Sequence, residues 1–364
     1  AIVAEAGSPV VVLDRLQLSA AARDYVAAYA ATGADTTVYY AGKAFLATAV
    51  ARWLDAEGMG IDVCTQGELE IAVRAGVPGE RILFHGNNKS EAEIARALEV
   101  GVGRYVIDSF AEIARLGMLA QEAGVVAQCL VRVTVGVEAH THEFIATAHE
   151  DQKFGLALAD GVAAEAVRRV AALPSLELRG LHSHIGSQIF DPAGFDVAAR
   201  RLVGFATELA QEGIGIEELN LGGGMGIAYT AADDPLDVGQ MAATLVDIVR
   251  RECDQAGLPL PRLSVEPGRA IVGPAGVTLY TVGTIKTVDL GNGMSRTFVS
   301  VDGGMSDNIR TALYDADYTV VLANRASTAD AMLCRVVGKH CESGDIVVRD
   351  CWLPADLAPG DLLA

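Results

Sequence analysis

Residues 81–108, RILFHGNNKSEAEIARALEVGVGRYVID, decide the architecture. RILFH (81–85) is a short apolar run stopped by Gly and Asn, as a buried strand would be. Ser90, with Glu93 three residues on, opens a helical stretch in the pattern of a capping box, and Gly101 closes it. RYVID (104–108) is the next strand. The segment reads as one parallel β-α-β unit, and both of its strands finish on a polar residue, His85 and Asp108.

The unit repeats in both directions. Strands are expected at 36–41 (TTVYYA), 59–63 (MGIDV), 81–85, 104–108, 126–135 (VAQCLVRVTV), 176–185 (LELRGLHSHI), 216–222 (IEELNLG) and 261–266 (PRLSVE), with alanine-rich helical stretches between them. Ser109 with Glu112 repeats the capping-box spacing, and the first helix is expected from about Ser19. Eight consecutive units favour closure into a (β/α)8 TIM barrel over an open doubly wound sheet. After 270 the runs VTLYTVGTIKTV, RTFVSVDGG, YTVVLA, MLCRVVG and GDIVVRD point to an antiparallel β domain. The expected division is a barrel over 15–270 and a smaller β domain over 271–364 together with 1–14, short of its last segment.

Of the 364 residues 51% are hydrophobic, yet no apolar run approaches the roughly 18 to 20 residues of a membrane span. Lys and Arg total 28 against 47 Asp and Glu, a net charge of −19 that repels nucleic acid. The six cysteines, at 64, 129, 253, 334, 341 and 351, form no C-x-x-C pair, so neither disulfides nor structural zinc is expected. The opening AIVAEAGSPVVVLD has no basic, apolar leader. A cytoplasmic protein is the expectation.

Chemistry gathers at the strand ends, the face on which barrel enzymes place their sites. Lys43 follows strand one, Asp62 closes strand two, His85 strand three, Asp108 strand four, His182 and His184 strand six, Gly222 to Gly226 strand seven, and Glu266 to Arg269 strand eight. A glycine run alone is equally a flexible turn; after strand seven, where barrels bind phosphate, it points to an anion site that includes Gly222, Gly223 and Gly224. Arg269 could add donors to a phosphate or hold a substrate carboxylate. An aldehyde cofactor carried by a phosphate needs an amine, and Lys43, in the apolar stretch YYAGKAF, offers one. Glu266 is placed to protonate a pyridine nitrogen, or alternatively to pair with Arg269. His184 can stack on a ring and Ser187 can donate to phosphate.

The motifs YAGKAF, DVCTQGEL, HGNNKS, HSHIGSQ, NLGGGMGIAY, EPGR, SVDGGMSDNIRTALY and VGKHCESGD, taken in that order, resemble those of the fold-type III decarboxylases that use pyridoxal 5'-phosphate (PLP). HGNNKS with CESGD is most similar to the diaminopimelate decarboxylase branch, which removes CO2 from meso-2,6-diaminopimelate to leave L-lysine. The resemblance spans nearly the whole chain. It implies that Lys43 carries the cofactor, His184 stacks on its ring, Ser187, Gly222, Gly223 and Gly224 reach its phosphate, and Glu266 faces its nitrogen. It further implies that Arg269, Arg310 and Tyr314 contact substrate or phosphate. Cys341 and Glu342 match a pair that enters the site of a neighbouring subunit in a homodimer, the thiol as proton donor and the carboxylate for the distal ammonium. Either Arg310 or Arg269 would receive the carboxylate that the substrate keeps.

Two departures stand out. Thr311 replaces a proline usual in the family, which could loosen the turn beside Arg310, and the family pattern continues beyond Ala364 into a segment with a site tyrosine. Rival readings inside the family are decarboxylation of ornithine, arginine, carboxynorspermidine or a carrier-bound amino acid. Outside it stand alanine racemase, which shares the barrel and the lysine but against which CESGD and HGNNKS argue, and a non-catalytic regulatory homologue, against which Lys43, the glycine run and Cys341 all argue.

Overall fold

A computed structural model describes residues 1–137 and 153–364. Eight parallel strands form its larger unit: Thr36–Ala41, Gly60–Val63, Ile82–Phe84, Arg104–Ile107, Ala127–Thr134, Leu176–His182, Glu218–Asn220 and Arg262–Val265. Strand eight pairs with strand one (Ser264 opposite Thr37), and the ring is continuous through strands four and five (Val106 opposite Leu130). The (β/α)8 barrel is therefore closed. A two-residue strand, Leu156–Ala157, that the sequence did not signal pairs with Val133 and Thr134.

Side chains of strands that are not neighbours can touch only across the barrel lumen, so such contacts identify the inward residues. At the strand beginnings Arg104 of strand four pairs with Glu218 of strand seven at 3.0 Å, and Ser264 of strand eight donates to the same carboxylate at 2.9 Å. Two residues on, Tyr39, Leu83, Val106 and Leu130 form one buried apolar cluster. Two residues further come His85 and Asp108, joined by Asn220 and Glu266, which lie two beyond Glu218 and Ser264. This is the period of two that a strand imposes. The lumen thus has a polar floor, an apolar middle and a polar mouth.

Local chemistry fixes the helices. Thr65, Ser90, Ser109 and Asp237 each accept a hydrogen bond at a helix start, and Gly76, Gly101, Gly124 and Gly257 end helices in the left-handed conformation. Ser90 and Glu93 form the reciprocal capping box. Ser109 does not. It caps the backbone of Glu112, but the Glu112 carboxylate turns inward to Lys89 Nζ at 2.6 Å and accepts from the Asp108 backbone at 3.1 Å. A buried cation outcompetes a half-exposed backbone N–H for that carboxylate. The first barrel helix, Arg15–Ala31, begins four residues earlier than its pattern suggested and buries Leu18, Ala22, Tyr25 and Tyr29.

The smaller unit comprises residues 1–14, 228–234 and 275–364. Its sheet orders Val10–Leu13, Gly276–Gly291, Met294–Val301, Ala331–Val337 and Ile346–Pro354, with Leu362–Leu363 also on Gly276–Gly291. Asn292 and Gly293, both at positive φ, make the tight turn between Gly276–Gly291 and Met294–Val301. All pairings are antiparallel except Met294–Val301 with Ala331–Val337, whose long connection permits a parallel return. Tyr280, Val282, Val299, Val301, Val336 and Leu353 fill its core.

Lys89 is only 2% exposed and gives its ammonium to Gly86 O, Val106 O and Glu112, so it anchors the loop after strand three. Lys89→Met should cost about 3–5 kcal/mol, because the Glu112 charge would stay buried without its partner. Adding Glu112→Gln should recover part of that loss. Chemical denaturation of the two variants tests this, and a single variant within 1 kcal/mol of the parent would show the pair to be dispensable.

Candidate active site

Glu266 follows strand eight at the barrel mouth and is buried. Its Oε1 lies 2.8 Å from His85 Nε2 and accepts from Asn220 Nδ2 at 2.8 Å. Its other oxygen is 3.4 Å from His182 Nε2, a close electrostatic contact without hydrogen-bond alignment. Burial alone would raise this carboxyl, but His85 and His182 outweigh it and hold Glu266 well below the usual carboxylate range. Burial likewise pulls His85 down, while Asp62, 4.0 Å away, and Glu266 act against it and leave it raised. His182 has no carboxylate aligned with it, and burial takes it down to about 4. The expected alternative pairing of Glu266 with Arg269 is not what this geometry shows; strands three, six and seven supply its partners.

The loop after strand seven is stitched to its neighbours. Leu221 N donates to Ser264 O and Glu266 N to Gly222 O, both at 2.9 Å, while Asn220 Oδ1 accepts from Gly222 N at 2.8 Å. Gly224 and Gly226 exchange backbone bonds with Ile189, and Gln188 bonds both backbone groups of Ile227. The glycines are needed for contact rather than for flexibility. A Cβ on Gly223 would lie 2.1 Å from Glu266 O, and one on Gly224, whose φ is +111°, 2.3 Å from Gly186 O. The loop after strand six is thereby held against the glycine run, with Arg269 Nη2 donating to Ser187 Oγ at 2.9 Å.

Lys43 sits in a single 3-10 turn, Gly42–Ala44, after strand one and is exposed. Its charge acts on Asp62 and His184. Burial is the main cause that pushes His184 down to about 3, with Lys43 adding to it, so this imidazole is neutral and can lie against an aromatic face. The mouth therefore combines an amine, an ionised buried carboxylate, a neutral imidazole and a glycine loop beside Ser187 and Arg269. That set fits a phosphorylated pyridine aldehyde: the two ring nitrogens of His182 and the Ser183 hydroxyl are buried without a hydrogen-bond partner among the described residues. His85, His182, Asn220 and Asp62 were visible as polar strand ends or their neighbours, but sequence alone gave no reason to join them to Glu266.

The remaining candidates lie in the smaller unit. Arg310 and Tyr314 belong to the short helix Arg310–Tyr314, and Tyr314 is 67% exposed. Thr311, expected to loosen this turn, is buried and donates to Val347 O at 2.9 Å, which ties the helix to the sheet. Cys341 and Glu342 stand exposed in a loop held by the buried Asp345, which accepts from Met305 N at 2.6 Å and His340 N at 2.7 Å.

A family model described as "Pyridoxal-dependent decarboxylase, pyridoxal binding domain" matches residues 17–273. The diaminopimelate decarboxylase of Mycobacterium leprae is 56% identical over 364 residues, covering 99% of this chain and 76% of the relative. The chain belongs to the diaminopimelate decarboxylase family. Its Bacillus subtilis member is 44% identical, with 98% of this chain and 81% of the relative covered. The crystal structure of the M. jannaschii diaminopimelate decarboxylase with L-lysine superposes with a TM-score of 0.91 at 32% identity, covering 100% of this chain and 82% of that one.

The depressed His184 gives the family site an acid-sensitive element. An unfolded histidine takes up its proton near pH 6.5, whereas the folded one resists until about 3, so between these values the unfolded state binds more protons and stability falls with pH. From pH 7 to pH 5 the parent should therefore lose about 1–2 kcal/mol more than His184→Gln. Denaturation midpoints at both pH values measure the difference, and parallel losses would reject it.

Proposed function

We propose that this chain is a PLP-dependent carboxy-lyase that converts meso-2,6-diaminopimelate to L-lysine and CO2. The observation that carries the reading is the ionised Glu266, buried at the mouth and held by His85 and Asn220, in a chain of this family. A carboxylate so placed keeps a pyridine nitrogen protonated. When bound, PLP supplies the electron sink for cleavage at the α-carbon.

The protein's own residues supply position and charge. Lys43 holds the cofactor aldehyde, His184 covers the ring, and Gly222, Gly223, Gly224, Ser187 and Arg269 receive the phosphate. Arg310 and Tyr314 bind the carboxylate that the substrate retains, and Glu342 its distal ammonium. Cys341 delivers the proton that replaces CO2. Cys341 and Glu342 act in the site of a partner subunit, so the working form is a homodimer with shared sites. Among the described residues no helix is long and apolar enough to cross a membrane, and the substrate is a small amino acid, which supports a cytoplasmic enzyme.

Assay of CO2 release from diaminopimelate, ornithine, arginine and lysine tests the reading directly. Turnover of diaminopimelate alone is expected, and preference for another of these would overturn it. Borohydride treatment of the holoenzyme should leave a pyridoxyl label on Lys43 and on no other lysine.

Shared sites make a separate quantitative prediction. Lys43→Ala and Cys341→Ala dimers should each be nearly inactive. After free reassortment of an equal mixture, about half the dimers are mixed, each with one intact site, so activity should return to roughly a quarter of the parent. Verified exchange without recovery would place all these groups within one chain.

A further inference from the structure

Arg310 is mounted in an unusual way. Its Nη1 donates to Tyr318 Oη at 2.9 Å, and its guanidinium carbon lies 5.0 Å from the centre of the Tyr229 ring and 5.8 Å from that of Tyr318. The two rings meet edge to face, 5.1 Å apart at 77°. The Tyr318 hydroxyl in turn faces Asn308 Oδ1 at 3.4 Å, and that same oxygen accepts the Arg310 backbone N–H at 3.3 Å. Thr319 completes the mount by donating from both N and Oγ1 to Tyr229 O, at 3.1 and 2.8 Å.

Among the described residues, no carboxylate pairs with Arg310. Of the acidic residues that flank this helix, Asp307 accepts from Tyr280 Oη and Gly304 N, and Asp315 is taken by Arg349. Of the five guanidinium N–H donors one is used, by a neutral hydroxyl, and the planar face rests on two rings. A cation fixed in orientation, uncompensated, and with most of its donors open is what two-pronged recognition of a carboxylate requires.

We propose that Tyr318 is a positioning residue that sets the Arg310 guanidinium and, through it, the selectivity for ligands bearing a carboxylate distal to the reacting carbon. This rests on the reading in which Arg310 receives that carboxylate. In this role Tyr318 acts through Arg310: it restricts a long side chain whose freedom would otherwise be lost on binding. The buried Thr311 hydroxyl on Val347 O fixes the base of the same helix, so the hydroxyl of Tyr318 is left to set the tip.

The test compares three ligands of the holoenzyme: diaminopimelate as substrate, and L-lysine and 1,5-diaminopentane as inhibitors. The last two differ by one carboxylate. Tyr318→Phe keeps the ring and removes only the hydroxyl, which accepts from Arg310 and faces Asn308. It should raise KM for diaminopimelate and Ki for L-lysine about five- to tenfold, with a smaller change in kcat, and leave Ki for 1,5-diaminopentane within about twofold. Arg310→Met should abolish the preference for L-lysine over 1,5-diaminopentane, and adding Tyr318→Phe to it should cost nothing more. Equal weakening of all three ligands by Tyr318→Phe, no change in any, or additive losses in the double variant would each overturn the role of Tyr318. If Arg310→Met itself leaves the preference for L-lysine intact, the assignment of Arg310 has failed, which is a separate and recognisable result.

Discussion

The barrel mouth depends on one carboxylate kept charged where burial disfavours charge. Glu266 holds its ionisation only because His85 and Asn220 bond to it and His182 lies beside it, and those partners come from strands three, seven and six. None of them is a neighbour of Glu266 in sequence. Closure of the ring is what brings them within reach, so the electrostatics of the site and the topology of the sheet stand or fall together. An open sheet built from the same strands would leave the carboxylate facing solvent or protonated.

The inward register carries that arrangement down the lumen. Arg104, Val106 and Asp108, or Glu218 and Asn220, occupy successive inward steps of their strands. A polar residue at the start and end of a short strand with an apolar one between is therefore the signature of a barrel stave whose two ends have different tasks. The floor pairs Arg104 with Glu218 for structure, and the mouth leaves its groups available to a ligand.

Much of this was legible in the sequence because strand ends, caps and glycine runs are local signals. The eight strands could be counted, and Lys43, His184, Glu266 and Arg269 could be named as mouth residues from their places after strands. What escaped depends on contacts between distant segments. Glu112 had the spacing of a capping box, but no local rule announces that Lys89, in another loop, will claim its carboxylate. Thr311 looked like a loosened turn because its acceptor, Val347 O, lies far along the chain. Nor does any local rule announce that the backbone of Glu266 and Gly186 will press against Gly223 and Gly224 and leave no room for a side chain there. Tyr229 closes the NLGGGMGIAY motif and Tyr318 opens the run YTVVLA, but no local signal joins either to Arg310.

The smaller unit claims residues 228–234, between barrel strands seven and eight. The polypeptide therefore passes from one unit to the other four times, after 14, 227, 234 and 274. Neither unit can be excised by a single cut, and a proteolytic nick at any one junction leaves both still joined through the others. A barrel expressed alone would need a new linker in place of the seven residues it lends out. Modular exchange between relatives, simple where domains follow one another like beads, here demands that several junctions be matched at once.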